Sequence, residues 1–214
     1  MKKLILVFNL IIASLTAFAQ KEVYRIDSLV NQYFENSEFN GTVLVAKRGE
    51  ILLNKGYGYS NAEKKTANAA HTVFGIASIT KTFTSALILK LQEAGKLSVQ
   101  DPLSKFDPDF PNGNKITVHH LLTHTSGLSD YINDPAFRKT DQSKEQTLSA
   151  MMGFFKNKPL DFEPGTKFRY SNSGYTMLGY IIEKVTGKSY ASALQQLVFK
   201  PLGMENTSYG PDLN

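Results

Sequence analysis

The spacing of hydrophobic positions changes near residue 60. Before it, apolar residues recur at helical spacing from Glu22 to Glu35, which predicts a first amphipathic helix. Two runs rich in Val, Leu and Ile follow, at Gly41–Lys47 and Ile51–Tyr59, with turn residues at 48–50 between them. These runs predict a β-hairpin. After Tyr59 the strand pattern disappears and helical patterns dominate.

Five helices are predicted in the rest of the chain. The first covers Ala77 to Glu93 and stops at Gly95, and the second covers Thr117 to Leu122 with Thr117 as N-cap. The third starts at Ser143, which forms a capping box with Gln146. The fourth carries Tyr175 to Val185 and ends at Gly187, and the fifth follows Ser189 and ends before Pro201. A two-stranded hairpin alone is marginally stable in water. We therefore expect either that the hairpin packs directly on helices or that its partner strands are missing from this chain.

The N-terminus has the pattern of a secretory signal peptide. Two lysines precede a mostly apolar stretch from Leu4 to Phe18, and Ala17 and Ala19 form a small-residue cleavage pattern. We predict a signal peptide at residues 1–19, a folded domain at 20–214, and a periplasmic or secreted protein. The alternative is a membrane anchor, but the apolar stretch is shorter than the ~20 residues of a spanning helix. We therefore expect no stable membrane span after cleavage.

Composition narrows the chemistry. The chain is 42% hydrophobic and 20% charged, which is typical of a globular protein, and it contains no Cys. A thiolate nucleophile, a disulfide and a cysteine-ligated metal are thereby excluded. The formal charge is +5, but two of the lysines lie in the predicted signal peptide and no run of five like charges exists. We therefore expect no nucleic-acid partner.

The predicted helix that begins near Ala77 carries the first candidate chemistry. Apolar residues cover nearly every direction around it, which is typical of a buried helix. Lys81 lies in its first turn, where a buried ammonium tends to lose its proton or find a partner. Ser78 lies three residues earlier on the same face, at the end where the helix dipole favours negative charge. This arrangement suits an activated serine nucleophile. The alternative is a serine that only caps the helix and a lysine that reaches solvent.

A second pair of candidate residues lies near residue 170. Pro164 and Gly165 predict a turn, which places Tyr170 and Asn172 on a loop just before a helix. Two side chains that are two residues apart on a loop can project together into a cleft. The alternative is a surface loop with an exposed tyrosine.

These two pairs carry a family resemblance. Ser78-Ile-Thr-Lys81 followed by Tyr170-Ser-Asn172 resembles the S-x-x-K and Y-x-N motifs of the serine β-lactamase and penicillin-binding-protein superfamily, closest to its class C β-lactamase, DD-peptidase and esterase branch. The resemblance extends from about Phe39 to the end of the chain. It implies an α+β, β-lactamase/DD-peptidase-like fold, in which a helical lobe and an α/β lobe with an antiparallel sheet flank the active site.

The resemblance also implies which parts of that fold this chain holds. No Lys-Thr-Gly or equivalent motif follows Tyr170. We therefore expect the helical lobe and the N-terminal part of the α/β lobe, with the later strands missing, so that the domain at 20–214 is incomplete at its C-terminus.

By the same resemblance, Ser78 attacks the carbonyl of an amide, β-lactam, D-amino-acid peptide or ester and forms an acyl-enzyme. Lys81 acts in the base role, Tyr170 relays the proton to the leaving group, and Asn172 binds the substrate. Which of Lys81 and Tyr170 is the base stays open, because a coupled pair titrates as a unit. The second oxyanion donor would come from the missing strand, and losing one such donor costs ~10²–10³ in rate. We therefore expect this chain to be impaired or inactive and its full-length parent to be a serine hydrolase.

Other chemistries are weaker. His120 and His124 have an i,i+4 spacing beside His119, but no His-Glu-x-x-His motif or nearby carboxylate completes a zinc site, so we predict no metal and no cofactor. Ser126 lacks the G-x-S-x-G elbow of a Ser-His-Asp hydrolase. The competing function class is a non-catalytic peptidoglycan- or ligand-binding module of the same fold. As an enzyme, the protein would have a small-molecule or peptide substrate as its partner.

Overall fold

The computed structural model describes residues 21–140 and 146–210, and the chain divides into two compact units, Met1–Phe74 and Gly75–Asn214. The predicted signal peptide at 1–19 lies outside the described residues. Within the described part of the chain, no helix is both long and apolar enough to cross a membrane.

The first unit combines one helix with two small antiparallel hairpins. Helix α1 covers residues 21–35, and strands β1 (Gly41–Lys47) and β2 (Glu50–Tyr57) pair antiparallel, as the sequence predicts. Strands β3 (Tyr59–Asn61) and β4 (Thr66–Ala67) form a second hairpin. The expectation that strands end at Tyr59 is therefore wrong, because these strands are too short to show an alternating pattern.

The first hairpin packs on α1 through a buried tyrosine. Tyr57 is only 3% exposed, and its hydroxyl donates to Asp27 of α1 at 2.6 Å. Lys55 donates to the same carboxylate. Burial and the Asp27 carboxylate raise the pKa of Tyr57, so its hydroxyl stays a donor at neutral pH.

The second unit is helical. A 3₁₀ turn at Ala77–Ile79 leads into α2 (Thr80–Glu93). The other α-helices among the described residues of this unit are α3 (Val118–Leu122), α4 (Pro135–Arg138), α5 (Leu148–Met152), α6 (Asn172–Thr186) and α7 (Tyr190–Leu194). Helix α7 continues as a π-helical turn at Gln195–Phe199. The predicted N-cap Thr117 and the stops at Gly95 and Gly187 are confirmed, and the helix predicted to follow Ser189 does so, with Ser189 as its N-cap. Together the two units make an α+β fold.

Helix α5 begins later than predicted. Thr147 is its N-cap, since its hydroxyl accepts the Ala150 N–H at 3.1 Å, and Gln146 lies outside the helix. The predicted start at Ser143 is therefore wrong where it can be compared, and Ser143 itself lies outside the described residues.

Helix α6 lies at the centre of the helical unit, and α2, α3, α5 and α7 all pack on it. Two glycines let neighbours approach closely: a Cβ on Gly174 would lie 3.5 Å from the Leu121 carbonyl oxygen, and one on Gly179 would lie 3.2 Å from the Leu148 side chain. The fully buried core side chains include Leu87, Ile88, Leu121, Met177, Leu178, Ile181, Ile182 and Leu194. This core holds the first residue of α6 in place beside α2.

Helix α2 is buried on one side only. Thr84, Leu87, Ile88 and Leu91 are its buried residues, whereas Ile79 is 61% and Leu89 47% exposed. The predicted burial on all sides is therefore wrong, because the helices that pack on α2 contact a single face of it. Lys81 is half-buried at its first turn.

Candidate active site

Ser78 stands at the head of α2 in a strained turn. Ala77, which precedes it, has φ +44°, a left-handed conformation that is uncommon for a residue with a Cβ. The 3₁₀ turn at Ala77–Ile79 then carries Ser78 into the helix. The serine side chain is exposed. A hydroxyl at this position is accessible to an approaching substrate.

Lys81 points towards Ser78. Its Nζ lies 3.2 Å from Ser78 Oγ and donates to Asn172 Oδ1 at 2.8 Å. It also lies 4.8 Å from the centroid of the Tyr170 ring. The prediction that Ser78 and Lys81 share one face is confirmed, and the alternative of a lysine directed to solvent is wrong.

Tyr170 reaches Ser78 from the second motif. Its hydroxyl donates to Ser78 Oγ at 2.8 Å. Burial raises the pKa of Tyr170, but its hydrogen bonds to Lys81 and Ser78 and the Lys81 charge outweigh burial, so the pKa is lowered overall. The structure therefore brings Ser78, Lys81 and Tyr170 together. Tyr170 does lie on a loop and is 44% exposed, as the alternative has it, but its hydroxyl is hydrogen-bonded to Ser78.

Asn172 is the first residue of α6 and not a loop residue as predicted. Ser171 is the N-cap, and its hydroxyl accepts the Gly174 N–H. The Asn172 amide has a partner at each end: Oδ1 accepts from Lys81, and Nδ2 donates to Asp130 Oδ2 at 3.0 Å. Because Asp130 can only accept, the amide must turn its oxygen towards Lys81.

Two residues of the site were missed by sequence reasoning. Asp130 orients Asn172 from a loop 42 residues away. His124 accepts the Ser171 N–H at Nδ1 and packs against the Tyr170 ring. Neither has a spacing signal, since each acts on residues that are more than forty positions away along the chain.

The other histidine and serine candidates have structural roles. The Nδ1 of His120 accepts the Thr117 N–H, which completes the capping box of α3. Ser126 is 1% exposed and accepts the Leu128 N–H. Within the described ranges, no group of three or more His, Asp or Glu side chains is arranged to hold a metal ion.

Two cavities border these residues. One of about 380 Å³ is lined by the polar residues Ser129, Asp130, Asn133, Asp161, Arg169 and Tyr170. The other, of about 140 Å³, is rich in hydroxyl groups and is lined by Thr80, Lys81, Thr84, Tyr131, Leu148, Asn172, Tyr175, Thr176, Gly179, Tyr190 and Tyr209. Both have room for part of a ligand next to the Ser78, Lys81 and Tyr170 group.

A helix-borne Ser-x-x-Lys pair, met by a Tyr-x-Asn pair at the head of a second helix, is typical of the serine β-lactamase and penicillin-binding-protein superfamily. The β-lactamase family model matches residues 26–214, and this chain belongs to that family. The family resemblance and the fold class predicted from the sequence are thereby confirmed.

Named relatives agree with this assignment. The chain is 36% identical over 190 residues to penicillin-binding protein 4* of Bacillus subtilis, covering 88% of this chain and 42% of that protein. It is 37% identical over 192 residues to protein flp of Staphylococcus aureus, covering 86% of this chain and 38% of that protein. The chain thus spans about two fifths of the length of these relatives.

Solved structures give the same picture. A penicillin-binding protein from Bacillus halodurans matches with a TM-score of 0.76 and 36% identity, over 84% of this chain and 55% of that one. D-amino acid amidase from Ochrobactrum anthropi SV3 matches with a TM-score of 0.62 and 31% identity, over 71% of this chain and 42% of that one.

Proposed function

We propose that the chain carries the nucleophilic centre of a serine hydrolase and forms an acyl-enzyme on Ser78. The observation that supports this proposal is the position of Ser78 Oγ, which lies 3.2 Å from Lys81 Nζ and 2.8 Å from the Tyr170 hydroxyl. A serine hydroxyl needs a neighbouring base to become nucleophilic, and the Lys81–Tyr170 pair provides one when one of its two members has lost its proton.

The proposed reaction has two halves. Ser78 Oγ attacks the substrate carbonyl and transfers its proton to the Lys81–Tyr170 pair. The bond from the carbonyl carbon to the leaving nitrogen or oxygen then breaks, and the pair returns the proton to that leaving group. Water next attacks the acyl-enzyme, gives a proton to the same pair, and releases the acid while Ser78 recovers its proton.

Lys81 and Tyr170 act as one unit in this proposal. The lowered pKa of Tyr170 makes loss of its proton easier, and the phenolate so formed accepts the Ser78 proton while the nearby Lys81 charge stabilises it. A coupled pair of this kind titrates with values that belong to the pair. Asn172 offers its amide to the substrate, and the Ser78 N–H at the head of α2 is the proposed oxyanion donor.

The proposed substrates are amides, β-lactams, D-amino-acid peptides or esters. Support comes from the relatives, which are penicillin-binding proteins and a D-amino acid amidase by name. The polar cavity beside Tyr170 carries both Arg169 and two carboxylates, Asp130 and Asp161, and therefore suits a substrate with polar or charged ends. We also propose that the protein acts outside the cytoplasm, on the strength of the predicted signal peptide. Finding the protein in the cytoplasm with residues 1–19 still attached would contradict this.

Covalent labelling tests the proposal. The full chain is incubated with a fluorescent penicillin and, separately, with a fluorophosphonate, and the adduct is located by peptide mass spectrometry. We expect an adduct on the peptide containing Ser78, loss of that adduct in Ser78→Ala, and full labelling of Ser149→Ala, an exposed serine on α5. Equal labelling of Ser78→Ala would overturn the assignment. Failure of both probes to label either this folded chain or a form extended to the length of its relatives would favour the non-catalytic binding module.

A further inference from the structure

The imidazole of His124 packs against the aromatic side chains around the proposed nucleophile. Its ring centroid lies 4.6 Å from that of Tyr170 and 5.0 Å from that of Tyr175, with both pairs of planes tilted by about 30°. The Phe168 ring meets it edge-on at 6.0 Å. Three ring contacts of this kind restrict both the position and the plane of the imidazole.

His124 also accepts hydrogen bonds from the backbone on both sides of Tyr170. The Arg169 N–H donates to the His124 carbonyl oxygen at 2.9 Å, and the Ser171 N–H donates to His124 Nδ1 at 3.1 Å. His124 has φ +58°, a left-handed conformation. In this conformation its carbonyl and its side chain both reach the segment 169–171. A single residue therefore contacts three consecutive residues of that segment.

The hydrogen bond at Nδ1 also determines the protonation state and the tautomer of the His124 imidazole. A backbone N–H can only donate, so Nδ1 must carry no proton, and the imidazole is neutral with its proton on Nε2. The ring is half-buried. Protonation would place a second donor against the Ser171 N–H and break this contact.

We infer that His124 is a positioning residue for Tyr170: as a neutral imidazole it fixes the segment 169–171 and thereby the distance from the Tyr170 hydroxyl to Ser78. The inference rests on the proposed function, since it assigns a role within that site. His124 touches neither reacting atom, and it acts through the 2.8 Å contact between Tyr170 and Ser78. Misplacing a catalytic group by about 1 Å can cost about 100-fold in rate.

The charged and titratable groups around His124 act in opposite directions, and burial together with Lys81 prevails in favour of the neutral ring. They are Lys81 from α2, Asp130 from the loop after α3, Tyr170 from the segment before α6, and Tyr175 from α6. Burial and the Lys81 charge lower the pKa of His124, whereas the Asp130 charge acts in the opposite direction. At neutral pH the ring is therefore uncharged, and acid weakens its hold on the segment.

Two substitutions of His124 test its hydrogen-bond acceptor and its aromatic ring separately. His124→Asn places an amide oxygen near the position of Nδ1 and tolerates positive φ. His124→Phe keeps a ring but has no acceptor. His119→Asn, an exposed position on α3, is the control. Rates of Ser78 acylation are measured from pH 5 to 8 for all three, with urea unfolding to check stability.

We expect acylation to fall about 100-fold in His124→Phe and about 10-fold or less in His124→Asn, with KM for a turned-over ester little changed. The acid limb of the wild-type rate profile should contain one ionisation that is absent from His124→Asn. Two results would show that His124 has only a structural role. One is an equal loss of acylation rate in the two variants that follows their loss of stability. The other is an acid limb of the rate profile that is the same in His124→Asn as in wild type.

A spectroscopic measurement keeps the inference separate from the proposed function. In ¹⁵N spectra at pH 7, the His124 ring should be the neutral Nε2–H tautomer. The Tyr170 titration should shift upward in His124→Phe, because the phenol moves away from Lys81. A protonated Nδ1, or a Tyr170 titration that is the same in His124→Phe, would overturn the inference even if no substrate were ever acylated. Absence of acylation both in this chain and in a form extended to the length of its relatives, with both signals as expected, would overturn the proposed function alone.

Discussion

At the scale of single residues, the site is a continuous set of hydrogen bonds from a carboxylate to a nucleophile. Asp130 holds Asn172, Asn172 holds Lys81, and Lys81 meets Ser78. Each member limits the orientation of the next, because carboxylates only accept and ammonium groups only donate. Substitution of Asp130, which does not contact Ser78, should therefore still change the reactivity of Ser78.

The first prediction concerns Asp130. In Asp130→Leu the Asn172 amide loses the acceptor that orients it, and it can then turn its NH₂ towards Lys81, where two donors would oppose each other. We expect Ser78 acylation to fall by about 10-fold or more, in line with the cost of an unsatisfied polar group. Asp130→Asn keeps an oxygen acceptor and should lose less. The measurement is the acylation rate of both variants, and a smaller loss in Asp130→Leu than in Asp130→Asn would contradict it.

The second prediction concerns Tyr170. Tyr170→Phe removes the hydroxyl 2.8 Å from Ser78 and leaves the ring contact with His124 in place. We expect acylation to slow by about 10²–10⁴-fold, the usual contribution of a general acid–base group. Tyr24→Phe, a surface tyrosine that is 73% exposed, is the control. A rate within a factor of three of wild type would show that Lys81 works without Tyr170.

At the scale of elements, the site depends on where helices begin. Ser78 and Lys81 lie at the head of α2, and Asn172 is the first residue of α6. The loop after α3 supplies His124 and Asp130 and is tied to the loop before α6, since the Asp161 N–H donates to the Gly127 carbonyl oxygen at 2.8 Å. The two loops must therefore stay close for the helix ends to meet correctly.

The third prediction tests that loop contact. Gly127 has φ +73°, and a Cβ there would lie 2.1 Å from the Phe162 carbonyl oxygen. We expect Gly127→Ala to lower the urea midpoint more than Gly187→Ala does. Gly187 also has a positive φ, +66°, but there is open space around it, so an alanine there adds only backbone strain of about 1–2 kcal/mol. Gly127→Ala should also slow acylation. Equal midpoints for the two variants would show that the loops are free to separate.

At the scale of the whole molecule, several groups titrate differently in the folded and unfolded states. Burial lowers the pKa of His120 and His124 below that of a free imidazole. Three carboxyl groups also have lowered pKa values. For Asp27 the main cause is its hydrogen bond to Lys55, and for Asp134 it is the hydrogen bond to Lys158. At Asp101 burial raises the pKa, but the contacts with Lys105 and Ser98 lower it by more. Stability is therefore linked to pH in two separate ranges.

The fourth prediction follows from that linkage. A group whose folded pKa is depressed binds fewer protons in the folded state, so its contribution is present at high pH and is lost as pH falls. The urea midpoint should be flat from pH 8 to 7, fall below about pH 6.5 as the unfolded histidines protonate, and fall again below about pH 4. Far-UV circular dichroism is the measurement, since the chain has no Trp. His124→Asn should reduce the first step, and a midpoint that rises on acidification would contradict the account.

Local patterns predicted most of the elements. Apolar periodicity placed α1, the first hairpin, α2 and α6, and hydroxyl residues and glycines marked the caps and stops of several helices. The family motifs predicted the site residues Ser78, Lys81, Tyr170 and Asn172, which the structure brings within contact. These features are predictable because helix periodicity, capping and motif spacing all depend on residues a few positions apart.

Three features needed the tertiary structure. The exposed side of α2, the Asp130 contact with Asn172 and the His124 contacts around Tyr170 all depend on which segments meet across more than forty residues. Residues a few positions apart were enough to predict that a serine and a lysine lie at the start of one helix and that a tyrosine and an asparagine lie just before another. Only packing around α6 decided that these pairs face each other, because side-chain partners are chosen by the three-dimensional arrangement of helices and loops and not by spacing along the chain.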